Sequence, residues 1–365
     1  MDLHWIMMHA QGRFGRMNVI EKINKLARDI VETWDPKMKW MWGEALLGYA
    51  LSLLDEHQKT DQFTPFLKAY CDYYVANSPR VDQSDTSAPG LITYYMWKKT
   101  KNEDYKTLTD RVIHYIMKEP RLIEDSVNHL GNSLEGKFYP KSIWVDSLMM
   151  FSVFPARYAK EQNDQEMMKV AARQPRIMAK YMQDPKDHLW YHSYWTTWKT
   201  HYPKRKIYWG RGNGWVIAAL PMILESIGDH EEKDQIITIF QKTAQALLPY
   251  QRSDGAFETV INKVGKTYRE LSFTALVASG FLQGFRLGLL DESFKVAGEK
   301  ALFAVINALY EENGRLFMPE ISGPTIPMPL FPYLGYKLIP KNKNWSYGLA
   351  ALIFAGIQYD LLNQQ

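Results

Sequence analysis

Apolar residues recur at three- and four-residue spacing through most of the chain, which is the period of one face of an α-helix. The pattern predicts twelve helices, at about 17–34, 40–57, 62–77, 89–99, 103–118, 144–160, 164–183, 213–228, 231–250, 270–287, 291–311 and 345–362. Breakers fall between them: Asp35-Pro36, Ser78-Pro79, Glu119-Pro120, Asp184-Pro185, Ser253-Asp254-Gly255 and Asn313-Gly314. Pro155, Pro175 and Pro221 lie inside predicted helices, where each signals a kink or a boundary.

The helices pair as hairpins with short connections, such as 89–99 with 103–118 and 213–228 with 231–250. Many first members are apolar nearly all round: Trp144–Tyr158, Gly214–Ile227, Leu271–Leu290 and Trp345–Tyr359. Their partners, such as Asp164–Lys180 and Glu231–Ala246, carry more charge. A helix apolar on every side is buried, and a one-sided helix lies at the surface. Six buried helices alternating with six outer ones describe an all-α (α/α)6 barrel. No Ser/Gly-rich or Pro-rich spacer interrupts the series. A single domain over 1–365 is therefore expected, with 1–16 as an N-terminal extension. The longer connections, 78–88, 119–143, 184–212, 251–269 and 312–344, precede inner helices and so fall on one side. Function is expected there, on loops over a rigid scaffold.

Composition narrows the class. The chain has 365 residues, 46% of them hydrophobic, enough for a large core. Twelve Trp and twenty-two Tyr suit a carbohydrate or aromatic ligand, but equally a large helical core. Net charge is +4 with the charges dispersed, which argues against a nucleic-acid partner. The one basic cluster, Lys204-Arg205-Lys206, is short. Cys71 is the only cysteine, so neither an intrachain disulfide nor a cysteine metal site can form. The segment from Met1 to His9 lacks a basic region followed by a long apolar run, and no stretch reaches the length of a membrane span. A cytoplasmic protein with no membrane partner is expected, or an exported one if a signal peptide was removed. A monomer or weak homo-oligomer is expected.

The chemistry-bearing residues cluster in the long connections and at the helix starts after them. Trp209-Gly210-Arg211-Gly212-Asn213-Gly214-Trp215 holds two indoles, a guanidinium and an amide among three glycines. Read as extended, it points Trp209, Arg211 and Asn213 to one side and leaves Asn213 as the N-cap of the next helix. Indoles cover apolar sugar faces, and Arg offers a carboxylate a two-pronged grip. The competing reading packs both indoles in the core and has Arg211 cap a carbonyl. Asp146 lies just inside a strongly apolar helix. Burial there should raise its pKa and make it a general acid, unless it merely complements the helix dipole. Asp85 precedes the helix near Pro89, with Asp82 as competitor. Two carboxyls from two inner-helix starts suit acid/base work on a sugar. Trp190 and His192 lie in an aromatic loop, with His188 and His201 as alternatives; their spacing supports no metal site. Glu270, Trp345 and Tyr347 begin later inner helices, where packing or capping competes with a place in the cavity. No phosphate loop, nucleotide fingerprint or nucleophile elbow is present.

With these motifs in place, the sequence resembles glycoside hydrolase family 105, the unsaturated rhamnogalacturonyl hydrolases. The resemblance rests on Trp209-x-Arg211-Gly212-Asn213-Gly214-Trp215, Pro140-x-x-x-Trp144-x-Asp146, Asp85-x-x-x-Pro89-Gly90 and Tyr191-His192. It implies the (α/α)6 barrel, no metal or other cofactor, and removal of a 4,5-unsaturated uronic acid from the non-reducing end of lyase-generated oligosaccharides. It places the catalytic Asp at Asp146 and a second pocket Asp at Asp85. His192, Trp144, Trp209, Arg211 and Trp215 fall at substrate-binding positions, with Asn213 beside them. A glycosidase or epimerase acting on saturated sugars and a non-catalytic carbohydrate-binding protein are the rival classes.

Overall fold

The computed structural model describes residues 19–364; the N-terminal extension expected at 1–16 lies outside them. Twelve helices of ten residues or more occur among the described residues. They are α1 (Val19–Thr33), α2 (Trp42–Gln58), α3 (Thr64–Ala76), α4 (Gly90–Thr100), α5 (Glu103–Lys118), α6 (Val153–Gln162), α7 (Gln165–Met182), α8 (Gly210–Ile227), α9 (Lys233–Leu247), α10 (Leu271–Arg286), α11 (Glu292–Ala308) and α12 (Ser346–Asn363). The even-numbered helices pack side by side in order, and α12 closes the ring on α2. Each odd-numbered helix lies outside, α1 against α12 and α5, α7, α9 and α11 against α4, α6, α8 and α10. This is the (α/α)6 barrel.

Burial follows the apolar pattern that produced the helices. Every residue of α10 from Leu271 to Gly284 is buried, whereas α7 buries a stripe that includes Met167, Ala171, Ala172, Ile177 and Met178. Pro175 and Pro221 sit within α7 and α8 without ending them. Pro155 is the third residue of α6, just after a π-turn at Leu148–Ser152. A proline has no N–H to return to the carbonyl four residues back, and a widened turn there accommodates the missing bond.

Short strands in the long connections are what periodicity missed. β1 (Ser142–Trp144), β2 (Ser193–Trp195) and β3 (Thr200–Tyr202) form an antiparallel sheet, with Trp144 opposite Ser193 and Ser193 opposite Tyr202. The helix expected at 144–160 therefore starts later. Trp144 ends a strand, and Asp146 sits in the turn after it rather than inside a helix. Three residues of apolar strand leave no periodic signature against a longer helical run.

The heptad is also placed differently. α8 begins at Gly210, with Trp209 as its extended N-cap residue, so Arg211 and Asn213 lie on the first helical turn. Asn213 is therefore not the N-cap. Gly210 serves close packing rather than a turn: a Cβ on it would lie 2.5 Å from the Phe273 ring and 2.9 Å from the Glu258 carbonyl.

Candidate active site

Two backbone ladders assemble the site at the end of the barrel that carries the long connections. The β1–β2 pairing continues as Val145 N–H donates to the His192 carbonyl, at 3.0 Å, and so sets Asp146 beside His192. On the other side, His129 N–H donates to Ser142 O and Ser84 N–H donates to His129 O, both at 2.9 Å. That second chain brings Asp85, in the first turn of the short helix Ser84–Ser87, against His129.

The closest polar approaches are Asp146 Oδ2 to His192 Nε2 at 3.3 Å and Asp85 Oδ1 to His129 Nε2 at 3.5 Å. Both histidines are buried, and both carboxyl side chains are mostly so. The bonds at the far ring nitrogens assign the tautomers. The Tyr336 phenol oxygen accepts from Met328 N–H (3.3 Å), which leaves its O–H to point at His192 Nδ1 (3.0 Å). His192 then carries its hydrogen on Nε2, facing Asp146. Ser147 Oγ donates to Ser84 Oγ at 3.2 Å, so it accepts from His129 Nδ1 at 2.8 Å. His129 Nε2 is then a bare acceptor, facing Asp85.

The acidities agree with that assignment. Burial pushes the Asp85 carboxyl well above its ordinary range, and the charge of Asp146 pushes it further. Burial pushes His129 down to about 4, so it is neutral near pH 7. Burial also lowers His192, against the pull of Asp146. For Asp146, burial acts upward but His192 and His129 act downward, and the net direction is below the ordinary carboxylate. The expectation that burial alone would make Asp146 the high-pKa partner is overturned, because an N–H from His192 favours its ionised form. These directions favour one proton on the pair, held by Asp85, with Asp146 as the carboxylate.

Aromatic rings wall the pair. Trp144 stacks on His129 with centroids 4.3 Å apart and meets His192 edge-on at 5.6 Å. His192 stacks on Trp209 at 4.2 Å, and Trp209 on Tyr336 at 5.9 Å. Trp215 is fully buried behind them, edge-on to Trp42 at 5.8 Å. Trp42, at the start of α2, stacks on Tyr347 at 4.7 Å.

Arg211 and Asn213 do other work than expected. The Arg211 guanidinium lies between the Trp209 and Tyr347 rings, 4.9 Å and 4.7 Å from their centroids. Its terminal nitrogens donate to Ser322 O (2.5 Å) and Gly323 O (2.6 Å). The two-pronged grip is thus closed on backbone carbonyls, as the carbonyl-capping alternative has it. Asn213 accepts from Trp190 N–H (2.8 Å) and donates to Trp190 O and Trp209 O (both 3.0 Å), tying the His192 loop to α8.

The alternatives weighed in the sequence lie elsewhere. Asp82 pairs with Arg80 at 3.2 Å. His201 bonds the Pro203 carbonyl and stacks on Tyr191, while Trp190 is buried with its indole on Thr243. Glu270 caps α10, accepting from Ser272 N–H and Phe273 N–H. His129, Tyr336, Trp42 and Ser147 are the residues that sequence reasoning passed over. A lone His or Tyr in a long connection carries no local signature.

Thirteen buried side-chain polar atoms among the described residues lack a well-aligned protein partner. Six are here: Asp146 Oδ2, His192 Nε2, Arg211 Nε and the indole nitrogens of Trp209, Trp215 and Trp345. Buried polar groups are normally satisfied, so this concentration marks a site built for a polar ligand. The described residues contain no cluster of three metal-ligating side chains. None of their helices is long and apolar enough to cross a membrane.

The profile of Glycosyl Hydrolase Family 88 matches residues 17–362. The chain belongs to glycosyl hydrolase family 88. Within this family of enzymes it is 26% identical over 351 residues to the unsaturated rhamnogalacturonyl hydrolase YesR of Bacillus subtilis (strain 168), covering 92% of this chain and 95% of that one. It is 25% identical over 286 residues to an unsaturated 3S-rhamnoglycuronyl hydrolase of Alteromonas sp. (strain LOR), covering 74% of this chain and 65% of that one. Among solved structures, a family 105 glycoside hydrolase of C. acetobutylicum ATCC 824 superposes with a TM-score of 0.84 at 23% identity, over 94% of this chain and 99% of its own. The unsaturated glucuronyl hydrolase of Bacillus sp. GL1 gives a TM-score of 0.74 at 15% identity, over 94% and 96%. These superpositions bear out the barrel. The family bears out a glycoside hydrolase.

Proposed function

We propose that this hydrolase removes a 4,5-unsaturated uronic acid from the non-reducing end of lyase-generated, rhamnogalacturonan-type oligosaccharides, with the chain acting as a single catalytic domain. The observation that carries the reading is a pair of mostly buried carboxyls, each faced by a buried histidine inside an aromatic pocket, in a chain whose relatives are named for unsaturated uronyl substrates.

The reaction is hydration of a vinyl ether. A uronate entering the pocket adds a negative charge that keeps a proton on the carboxyl pair; Asp85 passes that proton to Asp146 and is left as the carboxylate. Asp146 gives that proton to C4, and positive charge develops at C5 and the ring oxygen. Water adds at C5 and returns its proton to Asp146, while Asp85 orients the water. The C5 hemiketal opens to a ketone, C1 becomes a hemiacetal, and the remaining oligosaccharide departs. One carboxyl thus serves as acid and then base. Trp144, stacked on His129, and Trp209, stacked on His192, wall the sugar's pocket and fix the two imidazoles, and His192 steadies Asp146. Trp215, Arg211 and Asn213 hold that pocket in shape.

The test follows the ultraviolet absorbance of the conjugated C4=C5 bond on a lyase digest of rhamnogalacturonan. A steady fall is expected with the native enzyme and none with Asp146→Asn of unchanged melting temperature. No fall on any unsaturated digest would reject the reading. A fall confined to glucuronate-containing digests would move the terminal sugar from galacturonyl to glucuronyl.

A further inference from the structure

The pocket has a thin outer wall. Ile207, Trp209 and Tyr336 pack together with Val260 and Ile339 in a small apolar cluster, and the inner faces of Trp209 and Tyr336 meet His192. Ile207 also lines a groove of about 690 Å³, together with residues that include Arg205, Lys206, Lys263, Lys266, Phe331 and Tyr333. Tyr333 precedes Tyr336 by one turn of the short helix Pro332–Lys337, so one helix serves groove and pocket.

Four cations line it, from two separate loops. Lys206 is committed to Asp184 and Asp187, both at 3.0 Å, but among the described residues Arg205, Lys263 and Lys266 have no carboxylate within ion-pair distance. Like charges gathered without partners repel, which costs stability unless an anion completes them. Beside them Phe331 is 77% exposed, and its ring offers a flat face to a sugar. Cations over an aromatic floor fit a sugar that bears a carboxylate.

Resting on the function proposed above, we propose that this groove binds an acidic sugar unit of the leaving oligosaccharide, beyond the bond that is cleaved. The enzyme then selects anionic oligosaccharides over short or neutral ones without any change at the carboxyl pair.

The experiment compares kcat/KM on two substrates. One is an unsaturated disaccharide whose second sugar is neutral, and the other is a longer lyase product with a further uronate. The native enzyme should prefer the longer one by about tenfold at low salt, the summed effect of three exposed ion pairs. Both the triple variant Arg205→Ala/Lys263→Ala/Lys266→Ala and high salt should erase that preference and leave the disaccharide rate unchanged. No preference in the native enzyme, a preference that survives in the variant, or an equal loss on both substrates would overturn the groove assignment alone. A native enzyme inactive on both substrates would reject the function itself, and the groove proposal with it.

Discussion

His192 presents an N–H to Asp146 only while its other ring nitrogen accepts one, and Tyr336 supplies that hydrogen at 3.0 Å. Tyr336→Phe keeps the ring that stacks on Trp209 but removes the donor. The expected result is a fall in kcat of about tenfold or more with KM and melting temperature nearly unchanged. An unaltered kcat would show that the tautomer does not matter. The pH profile tests the shared proton. Asp85 has its pKa raised by burial and by the Asp146 charge, so the required proton is present below that raised value and lost as pH rises through it. Asp146 lies below the ordinary carboxylate range and His129 near 4, so neither creates a limb near neutrality. We expect kcat/KM to fall on the alkaline side and Asp85→Asn to cut turnover while binding persists. A flat alkaline side would place the proton elsewhere.

Three inner-helix starts clamp one short segment of the last long connection. Arg211 of α8 donates to the carbonyls of Ser322 and Gly323, and the Tyr347 phenol of α12 donates to Ser322 O at 2.5 Å. Glu270, capping α10, accepts from Ser322 N–H at 3.0 Å as well as from its own helix. These capping groups link secondary structure to the pocket, since the segment they hold leads to Tyr336. Glu270→Ala removes a cap and strands a buried N–H, which should cost about 3 kcal/mol. Urea denaturation should show a lower midpoint with unchanged slope. A loss within error would mean that Arg211 and Tyr347 suffice.

Across the whole barrel, ring closure depends on how near the inner helices approach. At Gly280 of α10, a Cβ would lie 2.3 Å from the Ile217 carbonyl oxygen of α8, a backbone atom that cannot step aside. Gly280→Ala gains about 1 kcal/mol of helix propensity but must push two inner helices apart, so a net loss of about 1–3 kcal/mol is expected in thermal unfolding. A stabilised protein would show that the ring has slack at that seam.

The sequence by itself determined the helices, their inner and outer alternation, the barrel and the side on which its long connections fall. Helical periodicity is local, and the all-round apolar character of α8, α10 and α12 leaves them only the interior. It also singled out Asp146, Asp85, His192 and the tryptophans now found together, because their motifs are compact. Tertiary structure decided the rest. The β1–β2 pairing placed Asp146 in a turn beside His192, and contacts between distant loops brought His129 and Tyr336 to the pair. Packing of Trp209 and Tyr347 around Arg211 turned its guanidinium toward backbone carbonyls. A proton's position depends on every hydrogen bond around it, and those partners come from segments far apart in the chain.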